Sequence, residues 1–511
     1  MIELSLLFER GDDPRRSSPC VMPAYFIDLN LDQVIATVCA GKAEYDLERI
    51  FYRPLKSADE IEYRHEVFSD IERLRLLDSL YAFSEGMGST RRRLASLGKI
   101  ASLYHRYGWF LDTALEYCDS VESLSRVFSG LDVESRALKS FASFIAGHVE
   151  SSGFKEFLGT ASRLKDDLRT IRYTATIKDL TVKVRKYDGE IDYGTDIEET
   201  FQKFSQGETK SYLVKYSDSS GIDHVQAQIL ECVAKLYPEV FSQLVLFCGT
   251  HASFVDETID SCERELAFYL AWLKYIKSMR DAGLSFCLPA VSSADKAVSA
   301  KGVYDIALAT RSVLSMTTIV TNDFSIRGEE RIVVVTGPNQ GGKTTFARTF
   351  GQIHHLGSIG CHVSASEARL FLFDAMFSHF EREESLKTHR GKLHEEIVSL
   401  HDSLASATGR SIFILNEVFT STTLMDSLFL SRKIIDKIAA LDALCVCVTF
   451  LDELASLNEK VVSYVCAVDP VDPSIRTFRI ERRSADGLAY ARALAEKHRL
   501  TYEALKARIE S

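Results

Sequence analysis

The sequence predicts a multidomain chain in which long packed helices, interrupted by a small β-rich insertion, precede an α/β domain. Three observations predict it. The 511 residues exceed what one ordinary core accommodates and point to roughly three domains. The hydrophobic period is helical at first, switches to a strand period near residue 170, then returns to helical. From about residue 301, strands and helices alternate around a glycine-rich turn.

Residues 1–25 read as an N-terminal extension. Residues 26–169 read as helical core: "LDQVIATVCAGKAEYDLERIFY" and "DEIEYRHEVFSDIERLRLLDSLYAF" place apolar residues three and four apart, with few Pro or Gly to interrupt them. Residues 170–222 read as the β-rich insertion. Thr181 to Arg185 alternates, so Val182 and Val184 face one way and Lys183 and Arg185 the other, and Asp188-Gly189 is a hairpin-type turn signal. Helical periodicity resumes over 223–300, the α/β domain spans 301–495, and 496–511 closes the chain as a helix.

Composition bounds the function. Hydrophobic content of 46% and charged content of 26% are those of a globular protein. No apolar run reaches the roughly 18 residues of a membrane span, and no leader opens the chain, so the expectation is a cytoplasmic protein with no membrane partner. The eleven cysteines form no CxxC pair; Cys445 and Cys447 occupy alternate positions of an apolar run, as in a buried strand. A net charge of −11 excludes a surface that is basic all over, but a local basic stripe is enough to track phosphates.

The chemistry concentrates in "IVVVTGPNQGGKTT". Gly337, Pro338, Asn339, Gln340, Gly341, Gly342, Lys343 and Thr344 satisfy GxxxxGK[ST], between an apolar strand (Ile332 to Val335) and the helical "TTFARTFGQIHHLG" that starts with Thr344 and Thr345. Such a turn cradles phosphates with backbone N–H groups. Lys343 would reach the β- and γ-phosphates of ATP, and the Thr344 hydroxyl would ligate Mg²⁺. A second apolar strand, "SIFILNEVFTSTT", ends in Asn416-Glu417, where Glu417 suits the base for water and Asn416 can orient a magnesium-bound water without offering charge. A chance glycine turn and an ordinary core strand are the competing readings. His354 and His355 read as packing or surface residues rather than ligands.

On these residues the chain resembles the MutS family of mismatch-repair ATPases. "TGPNQGGKTT" looks like the family's TGPNMGGKST, with Gln340 and Thr344 the differences. "LGSIGCHVSA" matches the segment after the loop helix, Arg348 falls on an arginine of that helix, Glu396 on the glutamate of "STFxxEM", and "DGLAYARALAEKHRL" on "YGIxVAxLAGLP". The helical and β-rich parts are then similar to the family's core, clamp and lever. The resemblance implies an ATP- and Mg²⁺-dependent switch that dimerises, as a homodimer, through its ATPase domains and clamps on double-stranded DNA that is mismatched, branched or distorted, with a downstream repair protein as a further partner. Ile319 aligns with an aromatic that stacks on adenine. The mismatch-reading and connector domains are expected to be missing. The glycines of "DEIGRGTST" are absent from "NEVFTSTTL", Phe450 stands for the "ATHY" histidine, and Gly391 for the serine that opens "STFxxEM", so hydrolysis is expected to be slow. Phe83-Ser84-Glu85 and Phe154-Lys155-Glu156 carry a Phe-x-Glu, but both lie in predicted helical core.

Arg169, Arg172, Lys178, Lys183, Arg185 and Lys186 gather in and just before the insertion and are the candidate DNA contacts; a solvated strand face is the alternative. Arg91-Arg92-Arg93 is a further candidate or a plain helix face. The acidic "DGEIDYGTDIEE" favours a rival reading, an ATP-gated protein-interaction switch with little or no DNA binding.

Overall fold

A computed structural model describes residues 4–9, 21–178, 181–189, 224–315, 318–380, 391–469 and 475–485. They divide into two compact units: one from residues up to 70, 135–137 and 264 onward, the other from residues 71–134 and 138–263.

The first unit is built on two sheets. Strands β3 (Ala290–Ser292), β4 (Val298–Val303), β5 (Asn322–Ile326) and β7 (Glu367–Phe371) form one, in the order β3-β7-β4-β5; β6 (Ile332–Thr336), β8 (Met376–Phe380), β9 (Ile412–Asn416), β10 (Leu444–Val448), β11 (Val461–Val468) and β12 (Arg476–Arg482) form the other, in the order β12-β11-β6-β10-β9-β8. Here β1 and β2 denote the hairpin strands of the second unit. The six-stranded sheet is parallel except for its β12 edge. All five residues of β6, β9 and β10 are buried, as central parallel strands require when both faces are covered. Cys445 and Cys447 are among them, and burial pushes the Cys447 thiol up to about 12.

The helix Lys343–Ser358 is buried along almost its whole length. A Cβ on Gly351 would sit 2.4 Å from Ile414 Cδ1 and 2.6 Å from Leu29 Cδ1, so glycine lets this helix lie against both β9 and the N-terminal segment. Two of its buried polar side chains tie it to neighbouring segments. Gln352 donates to the Leu29 carbonyl and to Asp305, while His355 bonds the Phe51 carbonyl and the Tyr25 hydroxyl. Burial holds the His354 and His355 imidazoles at about 4, neutral packing groups rather than ligands.

Two expectations change in this unit. The strands begin at Ala290, ahead of residue 301. The expected N-terminal extension contains core: Leu6 and Leu7 are fully buried, Leu6 is bonded through its N–H to Glu265 and through its carbonyl to Tyr269, and the Arg64 guanidinium lies 5.2 Å from both the Phe8 and Phe268 rings. A short "LSLLF" run carries no period, which is why it reads as an extension.

The second unit is helical. Helix Leu103–Ser129 packs against Leu77–Ser96, Ser152–Thr170 and Pro238–Thr250, with Phe157 and Phe247 stacked 5.4 Å apart. Phe83 and Phe154 are buried here, so neither Phe-x-Glu projects a ring outward. Arg91 pairs with Asp260 and Glu263, and Arg93 with Glu116, so the arginine run ties helices together. Strands β1 (Tyr173–Lys178) and β2 (Thr181–Lys186) form an antiparallel pair in which Lys178 faces Thr181. The connection therefore falls between those two residues and not at Asp188-Gly189; Gly189 takes φ 81° after β2 has ended. The rest of the predicted insertion, 190–222, and the closing helix 496–511 lie outside the described residues.

Candidate functional site

Strand register assembles the site. Val448 of β10 lies level with Val335 of β6 and with Asn416 of β9, so the carboxyl ends of three parallel strands form one row. The residues that follow, Gly337, Glu417 and Phe450, emerge at the same edge, where open α/β sheets bind ligands.

The turn after β6 needs its glycines. Gly337 has φ 122° and Gly342 φ 94°, and Gln340 also takes a left-handed φ of 60°. A Cβ on Gly337 would approach Cys466 Cβ to 2.9 Å, and one on Gly341 would meet it at 3.1 Å, so β11 supports the loop from below. Burial keeps the Cys466 thiol protonated, near 11, although Lys343 and Arg476 draw it down. Arg476 donates to the Asn339 carbonyl at 3.1 Å and holds the loop from the β12 side.

Gly342 caps the helix that begins at Lys343, so the helix N-terminus opens onto the loop. Lys343 is 4% exposed, and its Nζ donates to the Gly337 and Pro338 carbonyls, both at 3.0 Å. Burial lowers its pKa from the ordinary lysine value, against the pull of Cys466 and Glu417. The Thr344 hydroxyl donates to Asn416 Oδ1 at 2.8 Å across 72 residues of sequence. Glu417 sits at φ 54° with its N–H bonded to the Val448 carbonyl. Two residues on, the Phe419 N–H donates to buried Glu396 at 3.2 Å, so Glu396 anchors the turn that presents Glu417.

These residues line one cleft of about 490 Å³, walled by Asn339 to Thr345, Glu417, Ile319 and Phe478. Every predicted nucleotide residue is there except Gly337 and Pro338, whose carbonyls hold Lys343 behind it, and Asn416, which reaches it through Thr344. A loop held close to β11 at Gly337 and Gly341 and a hydroxyl–amide pair beside a buried lysine fit a phosphate chain with a hard cation. A larger cavity of about 800 Å³ beyond Asn322 contains none of the motif residues, and ion pairs such as Lys301–Glu367 occupy its wall.

Sequence reasoning missed Phe478 and Asn322. "RTFRIER" alternates like any strand, but Phe478 takes φ 58° near the β11–β12 register shift and turns into the cleft beside Gly342. Asn322 fixes it there, donating to the Phe478 carbonyl at 3.1 Å and accepting from the Ile480 N–H at 2.7 Å. Phe478 supplies the aromatic face that Ile319 lacks.

The six candidate basic residues of the second unit do not share one face. Lys178, Lys183 and Arg185 share one face of the hairpin with Thr174, Thr176 and Thr181. Lys186 belongs to the opposite face, with its Nζ 4.9 Å from the Tyr237 ring. Arg169 is exposed beside Asp166 at the end of its helix, and Arg172 is exposed just before β1.

Residues 333–495 match the family model described as MutS domain V. The chain is 32% identical over 127 residues to the DNA mismatch repair protein MutS of Shouchella clausii, covering 25% of this chain and 15% of that one. It is 26% identical over 229 residues to MutS of Clostridium kluyveri, covering 43% and 26%, and 32% identical over 143 residues to the mismatch repair protein MSH3 of Phaeosphaeria nodorum, covering 28% and 13%. The chain thus spans about a quarter or less of the length of these relatives. The family match lies in the C-terminal part of the chain, and the described helices and mixed sheets are compatible with an architecture of that kind. Among the described residues no helix is long and apolar enough to cross a membrane.

Proposed function

We propose that this chain binds ATP in the cleft, hydrolyses it slowly, and uses its nucleotide states to open and close a homodimer of the MutS kind on mismatched, branched or otherwise distorted DNA. The observation that carries this reading is the convergence of the glycine loop, Lys343, the Thr344–Asn416 pair and Glu417 on one sheet edge.

In this reading the loop N–H groups and the helix N-terminus receive the phosphates, and Lys343 neutralises charge on them. Mg²⁺, when bound, supplies charge stabilisation at the phosphates, held through Thr344 with Asn416 orienting a coordinated water. Glu417 accepts the proton of the attacking water. Ile319 and Phe478 enclose the base. Asn416 brings no charge to the metal, which makes hydrolysis slow. The open hairpin face with Lys178, Lys183 and Arg185 contacts phosphates without reading bases.

The test is binding to labelled perfect duplex, mismatched, junction and single-stranded DNA, with and without a non-hydrolysable ATP analogue, across a salt series. Retention of one DNA form that changes with nucleotide and falls steeply with salt is expected, with Lys343→Ala losing the nucleotide effect. If no DNA is held near physiological salt in either state, the ATP-gated protein switch replaces this reading.

A further inference from the structure

An aromatic ring lies against Lys343, at the position where the family resemblance expects a histidine. Phe450 follows β10, and its ring centroid lies 4.2 Å from Lys343 Nζ. An ammonium has three N–H directions. Two are taken by the Gly337 and Pro338 carbonyls at 3.0 Å, and the third side is covered by the ring face. In this arrangement Lys343 is 4% exposed and all of its capacity is spent within the protein.

We propose that Phe450 is a positioning residue that gates Lys343: its ring competes with incoming phosphate for the ammonium and must swing aside for a nucleotide to be held. The carbonyl partners belong to a backbone that β11 supports through Cys466 and Arg476 secures through Asn339, so they are not the groups that move. Phe450 is 47% exposed, so solvent borders its ring on the side away from Lys343. An aromatic face holds a cation without offering phosphate a hydrogen bond, so the ring stabilises the nucleotide-free lysine and contributes nothing to the bound state. The gate therefore weakens nucleotide binding and keeps the switch responsive to concentration. This inference rests on the nucleotide reading of the cleft.

The experiment compares wild type with Phe450→Leu, which keeps bulk but removes the π face, and with Phe450→Tyr, which keeps the face. Affinities for ADP and for a non-hydrolysable ATP analogue are measured by calorimetry. In parallel, the acylation rate of Lys343 by an amine-reactive ester is followed by mass spectrometry without nucleotide. Phe450→Leu is expected to bind both nucleotides roughly threefold to tenfold more tightly, the amount a partly desolvated cation–π contact supports. It should also acylate Lys343 several times faster, with Phe450→Tyr close to wild type in both. Unchanged or weaker nucleotide binding by Phe450→Leu overturns the gate. If no variant binds nucleotide, the ATP reading fails, and the acylation rates alone decide whether the ring covers the lysine.

Discussion

The Lys343 cleft and the β1–β2 hairpin each present basic residues that the sequence marks as candidate phosphate contacts, yet the fold treats them differently. Lys343 is buried, bonded at two carbonyls and fixed on a helix whose other end is packed into the unit. Lys178, Lys183 and Arg185 are exposed on a two-stranded ribbon. In the cleft a single group has one position, so changing it removes a defined interaction. On the ribbon several exposed charges add small, salt-screened contributions. A motif whose neighbours restrict it has one geometry to offer a ligand; a charge cluster offers only its field.

The largest effect that sharpens this contrast is expected at Glu417. Glu417→Gln should lower ATP turnover by on the order of 100-fold or more while leaving nucleotide affinity within about twofold, since only the proton acceptor is lost. Single-turnover assays with parallel binding measurements check it, and turnover near wild type would move the base elsewhere.

Next is Gly337→Ala. The added Cβ meets Cys466 at 2.9 Å and the backbone has φ 122°, so the loop must lift. A destabilisation of about 1–3 kcal/mol, with nucleotide affinity about tenfold weaker, is expected from calorimetry and thermal melting. A substitution tolerated without change would show the loop to be as loose as the hairpin.

Acid should separate the units. His354 and His355 titrate near 4 in the folded first unit, against 6.5 ordinarily, so the unfolded chain takes up protons first as pH falls. Their contribution is present above about 6.5 and is lost progressively toward about 4, on the order of 3 kcal/mol for each imidazole. Melting followed across that window should fall, and fall less in His354→Gln than in wild type.

The smallest effect is on the hairpin. Converting Lys178, Lys183 and Arg185 to Gln should weaken DNA binding only a few-fold per residue and evenly across DNA forms, and should reduce the salt slope by about 3. A loss confined to one DNA form would instead show base or shape reading by the ribbon.

Much of the cleft was legible because its parts are local. The glycine spacing, the apolar strand before it and the Asn416-Glu417 strand end are each visible within about a dozen residues. Buried Cys445 and Cys447, and neutral His354 and His355, follow from apolar periodicity in the same way. The core segment at Leu6 and Leu7 was not legible, since four apolar residues without a period do not name their partner. Nor were the structural roles of Arg91 and Arg93, whose acids lie in other parts of the chain.

The sequence by itself determined the broad succession of helical and strand segments, where the glycine loop after β6 lies and which residue types it offers, because these depend on short-range spacing and backbone freedom. Only the tertiary structure decided that Thr344 meets Asn416, that Phe478 turns into the cleft, that Phe450 covers Lys343, and that Lys186 leaves the open hairpin face. Those outcomes depend on register between strands distant in sequence and on a few left-handed backbone angles, and neither leaves a periodic trace in the chain.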